Sequence, residues 1–305
     1  MDQQIGKYRY RMFGLVFESD FRLDGLTPDN GEPDAVIREG IVDAPFSGPE
    51  GENAFCVAEN GAFAFRVKGI GAFQIRDGRE ITFQKDLQCL DDAYTLYISG
   101  TCAGTLLMQR GIIPIHGSAL LLEGKGVIVT GDSGAGKSTL SASLNKRGCS
   151  FLADDIAALQ IEPSGEVVVR PGFPQQKLWR DTATRIYGSV EMFDRIPGTR
   201  DKYYIPIPGD QFIPSNKRLH ALFELVPESR DTVEIVELRG MEKLARLMYN
   251  TYRFELVELL GLKKWHFEAC AQLASQIAVY RIKRPASGFT VEEQIEGMMR
   301  AVQKL

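Results

Sequence analysis

Cysteine pairs and histidines are nearly missing from this chain. Its five cysteines (Cys56, Cys89, Cys102, Cys149 and Cys270) are scattered and odd in number, and only three histidines stand among 305 residues. There is no CxxC pair and no histidine beside one, which argues against a zinc-finger-type site and against a disulfide framework. Reduced thiols in a cytoplasm are the expectation. Long apolar runs are lacking too: nowhere do about 18 apolar residues follow one another without a charge, so no membrane-spanning helix is expected. The opening MDQQIGKYRYRMFGL holds no apolar stretch with a small-residue cleavage site, so no secretory signal is expected either. Charge of one sign is not in excess. Against 40 Asp and Glu stand 36 Lys and Arg, a formal net charge of -4, which gives no general pull toward nucleic acid or anionic lipid.

What is present is the composition of a soluble globular protein, 44% hydrophobic and 25% charged, long enough for two domains of ordinary size. Residues 1 to about 90 read as β. AFCVAENGAFAFRVKG and GAFQIRDGREITFQ alternate apolar and polar residues and are broken by ENG and RDG, which predicts a small antiparallel sheet. LDDAYTLYISGTCAGTLLMQRG predicts a linking helix with Tyr94, Tyr97, Ile98 and Met108 on a buried stripe. From Gly111 the pattern changes. IIPIHGSALLL and GVIVTG read as strands about an EGKG turn, residues 138–147 as a helix ended by Gly148, and IAALQIEPSGEVVVR as a hairpin. PQQKLWRDTATRIYG is predicted helical, KYYIPIP extended, LHALFELVP and TVEIVEL strands, and the C-terminal third largely helical. The expectation is an α/β domain over residues 111–305, preceded by a smaller β-rich domain over 1–110.

The run Gly131-Asp132-Ser133-Gly134-Ala135-Gly136-Lys137-Ser138, followed by Thr139, fits G-x-x-x-x-G-K-[ST] at every fixed position, between an apolar strand and a helix. Glycines let backbone N–H groups curl around phosphates, the helix N-terminus adds partial positive charge, and Lys137 adds a full one. Ser138 would ligate Mg²⁺ through its hydroxyl. The expected ligand is a nucleotide. In LADD, Asp154 and Asp155 follow an apolar run and should sit at a strand end beside that loop. One carboxylate there can hold Mg²⁺ and a second can take a proton from an attacking hydroxyl. Adjacent residues on an extended strand point to opposite faces, so only one of the two is expected to face the nucleotide.

The segment HGSALLLEGKGVIVTGDSGAGKSTLSASLNKRGCSFLADD resembles the catalytic core of HPr kinase/phosphorylase, a bacterial serine kinase. That resemblance implies a P-loop domain of the HPr kinase C-terminal type, related to phosphoenolpyruvate carboxykinase, using ATP and Mg²⁺. It implies that Lys137 binds the β- and γ-phosphates and Ser138 the metal. Asp155 would be the general base on a substrate serine, with Asp154 near the metal and His116 near the transferring phosphate. On its residues alone, His116 reads equally as a strand-end histidine with a satisfied hydrogen bond. Three departures stand out. Thr139 follows the loop serine where those kinases place Glu. RPGFPQQKLWRD holds the approximate place of their later glycine-rich signature with its metal-binding Glu, and the N-terminal β region is unlike their regulatory domain. Over the whole chain, YRYRMFGLVFESD, IIPIHGSALLL and PGFPQQKLW resemble the kinases encoded beside lasso-peptide precursors, themselves HPr kinase homologues. That likeness implies a ribosomal precursor peptide as acceptor, through its C-terminal serine. HPr as acceptor, a nucleotide-dependent peptide-binding module without catalysis, and a homo-oligomer like the HPr kinase hexamers stay open.

Other cations are candidates for phosphate or substrate contact. Lys177 and Arg180 in QQKLWRD fall one turn apart on the expected helix, where they can reach phosphate or a peptide carboxylate, or form a solvated face around Trp179. Arg200 and Lys202 in PGTRDKYY lie in an expected loop and can stabilise transition-state charge or stay on the surface. Arg253 in YNTYRFE is a further candidate. Tyr249, Tyr252 and Phe254 are expected in the core, and Lys263 and Lys264 at a solvated helix start.

Overall fold

The computed structural model describes residues 7–47, 52–57, 61–89, 92–197, 199 and 201–305. The first strands are β1 (Tyr8–Met12), β2 (Leu15–Ser19), β3 (Thr27–Pro28), β4 (Ala35–Glu39), β5 (Ala54–Val57), β6 (Phe63–Val67), β7 (Gly71–Arg76) and β8 (Glu80–Lys85). They form one sheet in the order β3-β1-β2-β4-β8-β7-β6-β5. The hairpins turn where glycine signals stand, but β4 pairs in parallel with both β2 and β8. The sheet is therefore mixed rather than antiparallel. Turn residues report only the local pairings, and β4 enters between two hairpins by connections that carry no hairpin signature.

A stacked aromatic ladder holds the sheet: Phe65–Phe73 at 4.8 Å and Phe73–Phe83 at 4.6 Å between ring centroids. Over it lies the linking segment, α1 (Tyr94–Tyr97), a π-helical turn over Ile98–Cys102, and α2 (Ala103–Gln109). Tyr94, Ile98 and Met108 are buried as the stripe predicted, with Tyr97 packed partly against the same cluster. Its internal glycines admit Tyr252: a Cβ on Gly104 would lie 2.8 Å from that ring. The cluster under this sheet also takes in Ile156, Phe173, Leu256 and Val257, so the apolar interior runs on past residue 110. Phe13, at the tip of the β1–β2 hairpin, meets Phe173 edge-on at 6.2 Å, and the Arg170 guanidinium donates to Phe13 O at 2.7 Å.

The second sheet comprises β9 (Ile113–Leu122), β10 (Lys125–Gly131), β11 (Phe151–Ala153), β12 (Ile156–Ile161), β13 (Val167–Arg170), β16 (Lys217–Glu228), β17 (Glu234–Leu238) and β18 (Ala278–Pro285). β14 (Gln175–Trp179) and β15 (Lys202–Pro206) make a separate pair. Its helices are α3 (Lys137–Lys146), α4 (Arg180–Tyr187), α5 (Gly240–Tyr249), α6 (Glu255–Leu259), α7 (Lys263–Gln276) and α8 (Val291–Val302). β10, β16 and β18 run parallel. Side-chain alternation splits them into two layers. Val127, Val129 and Phe223 meet Leu140, Leu144 and Met298 of α3 and α8, whereas Ile128 and Leu222 meet Leu247 and Leu273 of α5 and α7. Buried on both faces, these strands show the continuous apolar runs of a covered parallel sheet.

Two further expectations need correction. Gln175–Trp179 is a strand, and helix begins only at Arg180, because this segment pairs with Lys202–Pro206 across the chain. Ala278–Pro285, expected within the helical third, is a central strand beside β16. Cys102 and Cys270 are buried thiols outside any disulfide, and Cys89 is buried as well. Among the described residues, no helix is long and apolar enough to cross a membrane.

Candidate active site

β10 delivers the glycine loop at its C-terminal end, and α3 starts at Lys137. Gly131 has φ +137°, and a Cβ there would stand 2.5 Å from Leu225 O on the neighbouring strand. Gly131→Ala should therefore destabilise the fold by about 2 kcal/mol or more, from steric overlap and backbone strain together. Urea denaturation checks this, and an unchanged midpoint would refute it. Lys137 Nζ donates to Gly131 O at 2.7 Å and to Asp132 O at 3.0 Å, folding over the loop. Burial pulls its pKa below the ordinary lysine value, against the opposing charges of Asp155, Asp154 and Asp132. Ser138 and Thr139 continue the first turn of α3, with Thr139 Oγ1 3.2 Å from Thr182 Oγ1.

Asp154 and Asp155 join β11 to β12. They are not on alternate faces of a continuous strand, because Asp155 takes a left-handed backbone, φ +62°. That kink lets one residue, Lys177 of β14, hold both: its N–H donates to Asp154 Oδ2 at 2.9 Å and its ammonium to Asp155 Oδ2 at 2.9 Å. Ser118 Oγ donates to the other oxygen of Asp154 at 2.5 Å. The two carboxylates differ electrostatically. Burial, followed by the charge of Asp155, pushes Asp154 up to about 6. Burial also raises Asp155, but the charge and hydrogen bond of Lys177 outweigh it and hold Asp155 below the usual aspartate range. Lys177 in turn, with a side chain only 8% exposed, is lowered by burial but carried to about 12 by Asp155.

His116 lies on β9 opposite Ile156, next to this pair. Its Nδ1 is buried without a hydrogen-bond partner, while the ring is hydrogen-bonded to the Asp155 backbone, as expected of a strand-end histidine. Burial and the charge of Lys137 hold its pKa below the ordinary histidine value, which keeps the ring neutral at pH 7. Lys202 is close enough for its charge to act on Asp155, Lys137 and His116, and its ammonium stands 4.9 Å over the Trp179 ring. Arg180 is not beside Lys177: it is exposed and paired with Asp201 at 2.8 Å. Arg200 lies outside the described residues. Arg253, half exposed with φ +49°, lines a cavity of 390 Å³ with His116, Asp132 and Ser133.

Tyr249 is not core. It is 52% exposed and donates from its hydroxyl to Asp132 Oδ1 of the loop at 2.8 Å. Phe254 is exposed as well, whereas Tyr252 packs against Gly100 of the π-helical turn and Gly104 of α2. Lys263 and Lys264 do open α7 in solvent. Sequence reasoning passed over Ser118, although it stands two residues after His116 on one strand face.

For Mg²⁺, no three His, Cys, Asp or Glu side chains converge among the described residues. A magnesium ion carried by a nucleotide asks for less, one or two protein oxygens beside phosphates and water. The partly buried carboxylate of Asp154 and the hydroxyl of the loop serine Ser138 are oxygen donors of the kind that requirement asks for.

No family model matches the chain. Over 120 residues it is 31% identical to the HPr kinase/phosphorylase of Bordetella pertussis, covering 36% of this chain and 38% of that protein. The chain is similar to HPr kinases. The HPr kinase/phosphorylases of Bordetella parapertussis and Bordetella bronchiseptica match to the same extent. The match thus spans less than two fifths of these relatives. Among solved structures, the HPr(Ser) kinase/phosphatase from Coxiella burnetii matches at 17% identity and a TM-score of 0.36, over 62% of this chain and 95% of that one.

Proposed function

We propose that this protein is an ATP-dependent serine kinase with a peptide acceptor. The observation that carries the reading is the convergence of Asp154 and Asp155 on Lys177, within electrostatic reach of the phosphate-loop Lys137. The Asp155 carboxylate takes the proton from the acceptor serine as its Oγ forms a bond to the γ-phosphorus. The bond from that phosphorus to the β–γ bridging oxygen breaks, and ADP leaves with the electron pair. Lys137 and the loop N–H groups at Gly131–Ser138 steady the charge on the transferring group. Neutral His116 and the cation Lys202 border the same space. Ser138 and Asp154 would hold Mg²⁺, which would supply neutralisation of the phosphate charge.

The acceptor we favour is the C-terminal serine of a lasso-peptide precursor, on the likeness carried by YRYRMFGLVFESD and PGFPQQKLW. Residues 1–110, which share their core with the rest of the chain, are proposed to recognise it. A second acceptor, HPr, is favoured by the similarity to the Bordetella proteins. Intact-mass analysis with Mg·ATP and either acceptor tests both. A gain of one phosphate, absent in Lys137→Ala, is expected on the precursor peptide; a gain on HPr alone would move the protein to the second reading. No gain on either, with ATP still bound, would leave a peptide-binding module.

A further inference from the structure

Arg253 borders two cavities. One is the 390 Å³ space that it shares with His116, Asp132 and Ser133, beside the carboxylate pair. The other, of 460 Å³, lies between the β5–β6 end of the first sheet and α6. Glu255 lines both as well, so the two spaces adjoin across residues 253–255.

Their chemistry differs. The first gathers a histidine and the polar loop residues, a setting for a hydroxyl and phosphates. The second is lined largely by apolar side chains. Phe55 of β5 pairs directly with Phe65 of β6, so the two rings share one face of the sheet. β5 ends that sheet among the described residues, and α6 faces the rings across the cavity with Leu256 and Leu259. Phe65 and Leu256 are buried, but Phe55 is 59% exposed and Leu259 37%. Phe254 and Tyr249, exposed too, carry apolar surface on to the phosphate loop. Exposed apolar side chains scattered singly are ordinary. Four that line two joined cavities leading to a reactive centre mark a binding surface.

Arg253 stands at the passage between them. Its left-handed backbone, φ +49°, is costly for a non-glycine residue and is of the kind that concentrates at ligand clamps. Its side chain is 45% exposed, and its approach to Glu255 is 3.7 Å, longer than a hydrogen bond. A guanidinium with five donors can there hold the carbonyls of a chain that runs from one cavity to the other. Adjoining spaces of these volumes have centres roughly 9–10 Å apart, which extended chain covers in about three residues at ~3.3 Å each.

We infer that the 460 Å³ cavity between β5–β6 and α6 is the specificity pocket for the acceptor peptide. It takes a large apolar side chain about three residues before the serine that reaches His116 and Asp155, and the intervening chain crosses Arg253. The inference rests on the peptide-kinase reading above. The test uses Mg·ATP and peptides of about a dozen residues that end in serine and carry Phe, Leu, Ala or Asp three residues before it. Wild-type protein is expected to favour Phe and Leu over Ala by about tenfold in kcat/KM, chiefly through KM, and over Asp by more. The double variant Phe55→Ala/Leu259→Ala removes two partly exposed side chains, and circular dichroism checks that it folds. Its kcat/KM should fall about tenfold for the Phe and Leu peptides and less than about twofold for the Ala peptide. A preference that survives in the double variant, or equal wild-type kcat/KM for all four peptides, would overturn the pocket and leave the kinase reading standing. If no peptide is phosphorylated, fluorescence anisotropy of the same labelled peptides decides. Binding that favours Phe and Leu in the wild type alone would keep the pocket while the kinase reading falls. No binding to the wild type would overturn the pocket and the peptide acceptor together.

Discussion

Asp155→Asn should lower kcat by about 10²- to 10⁴-fold while ATP affinity stays within about twofold. The amide keeps the size and the turn but cannot take a proton from a serine hydroxyl. Circular dichroism must show the variant folded, since Lys177 would be left buried against a neutral partner. The variant has a second readout. Asp155 is one of the charges that push Asp154 up to about 6, so removing it should lower the Asp154 pKa. Carbon-13 titration of the Asp154 carboxyl would show that shift. Full transfer activity in Asp155→Asn would sink the base assignment and make Asp154, with its raised pKa, the group to test next.

The phosphate loop was legible because its chemistry is local: eight consecutive residues fix the turn, the helix start and the lysine. The layered sheet was legible where turns or strand-to-loop signals punctuate it. β18 was missed because Ala278 follows α7 with only Ile277 between, without the Gly or Pro that separates most elements here. A short apolar run buried on both faces reads like a helix segment. The same limit explains β4, whose parallel neighbours β2 and β8 are chosen by tertiary packing.

The site divides along the same line. Lys137, Asp154 and Asp155 could be named from spacing, but their relation could not. It depends on the left-handed backbone at Asp155, which no residue type at that position announces, since aspartate tolerates that conformation without demanding it. Lys177 was singled out for the wrong reason. As a helical residue it would share a face with Arg180; as the middle of β14 it faces two carboxylates about 22 residues upstream, while Arg180 turns away to Asp201. Lys177 is thus brought to the carboxylates by a strand the periodicity did not reveal. Tyr249 shows the converse: its aromatic ring suggested core, and its place at the end of α5 put the hydroxyl on the loop.

Lys177→Met follows from that geometry and should have the largest effect on stability. Removing one partner of a buried pair costs about 3–5 kcal/mol, reduced here to roughly 2–3 because the Asp155 side chain is still 37% exposed. The dependence on pH fixes the cause. A carboxylate with a depressed pKa in the folded state contributes stability above its unfolded value, near pH 4, and loses it as pH falls through the folded value. Asp155 is such a group in the wild type. Asp154, raised to about 6, acts oppositely: its contribution is complete below about pH 4 and is lost as pH rises through about 6. Without Lys177 both carboxylates resist ionisation, so acidification from pH 7 to about 4 should relieve the variant at both, whereas in the wild type only Asp154 gains and Asp155 loses its contribution below that range. The stability gap should be widest near pH 7 and narrow markedly by about pH 4. The acid limb of kcat/KM should move upward by about one pH unit or more, because the base has lost the cation that keeps it ionised. Urea titrations that give the same gap at both pH values would mean Lys177 acts through packing. An unmoved acid limb would mean that Asp155 is not the group whose ionisation the reaction needs.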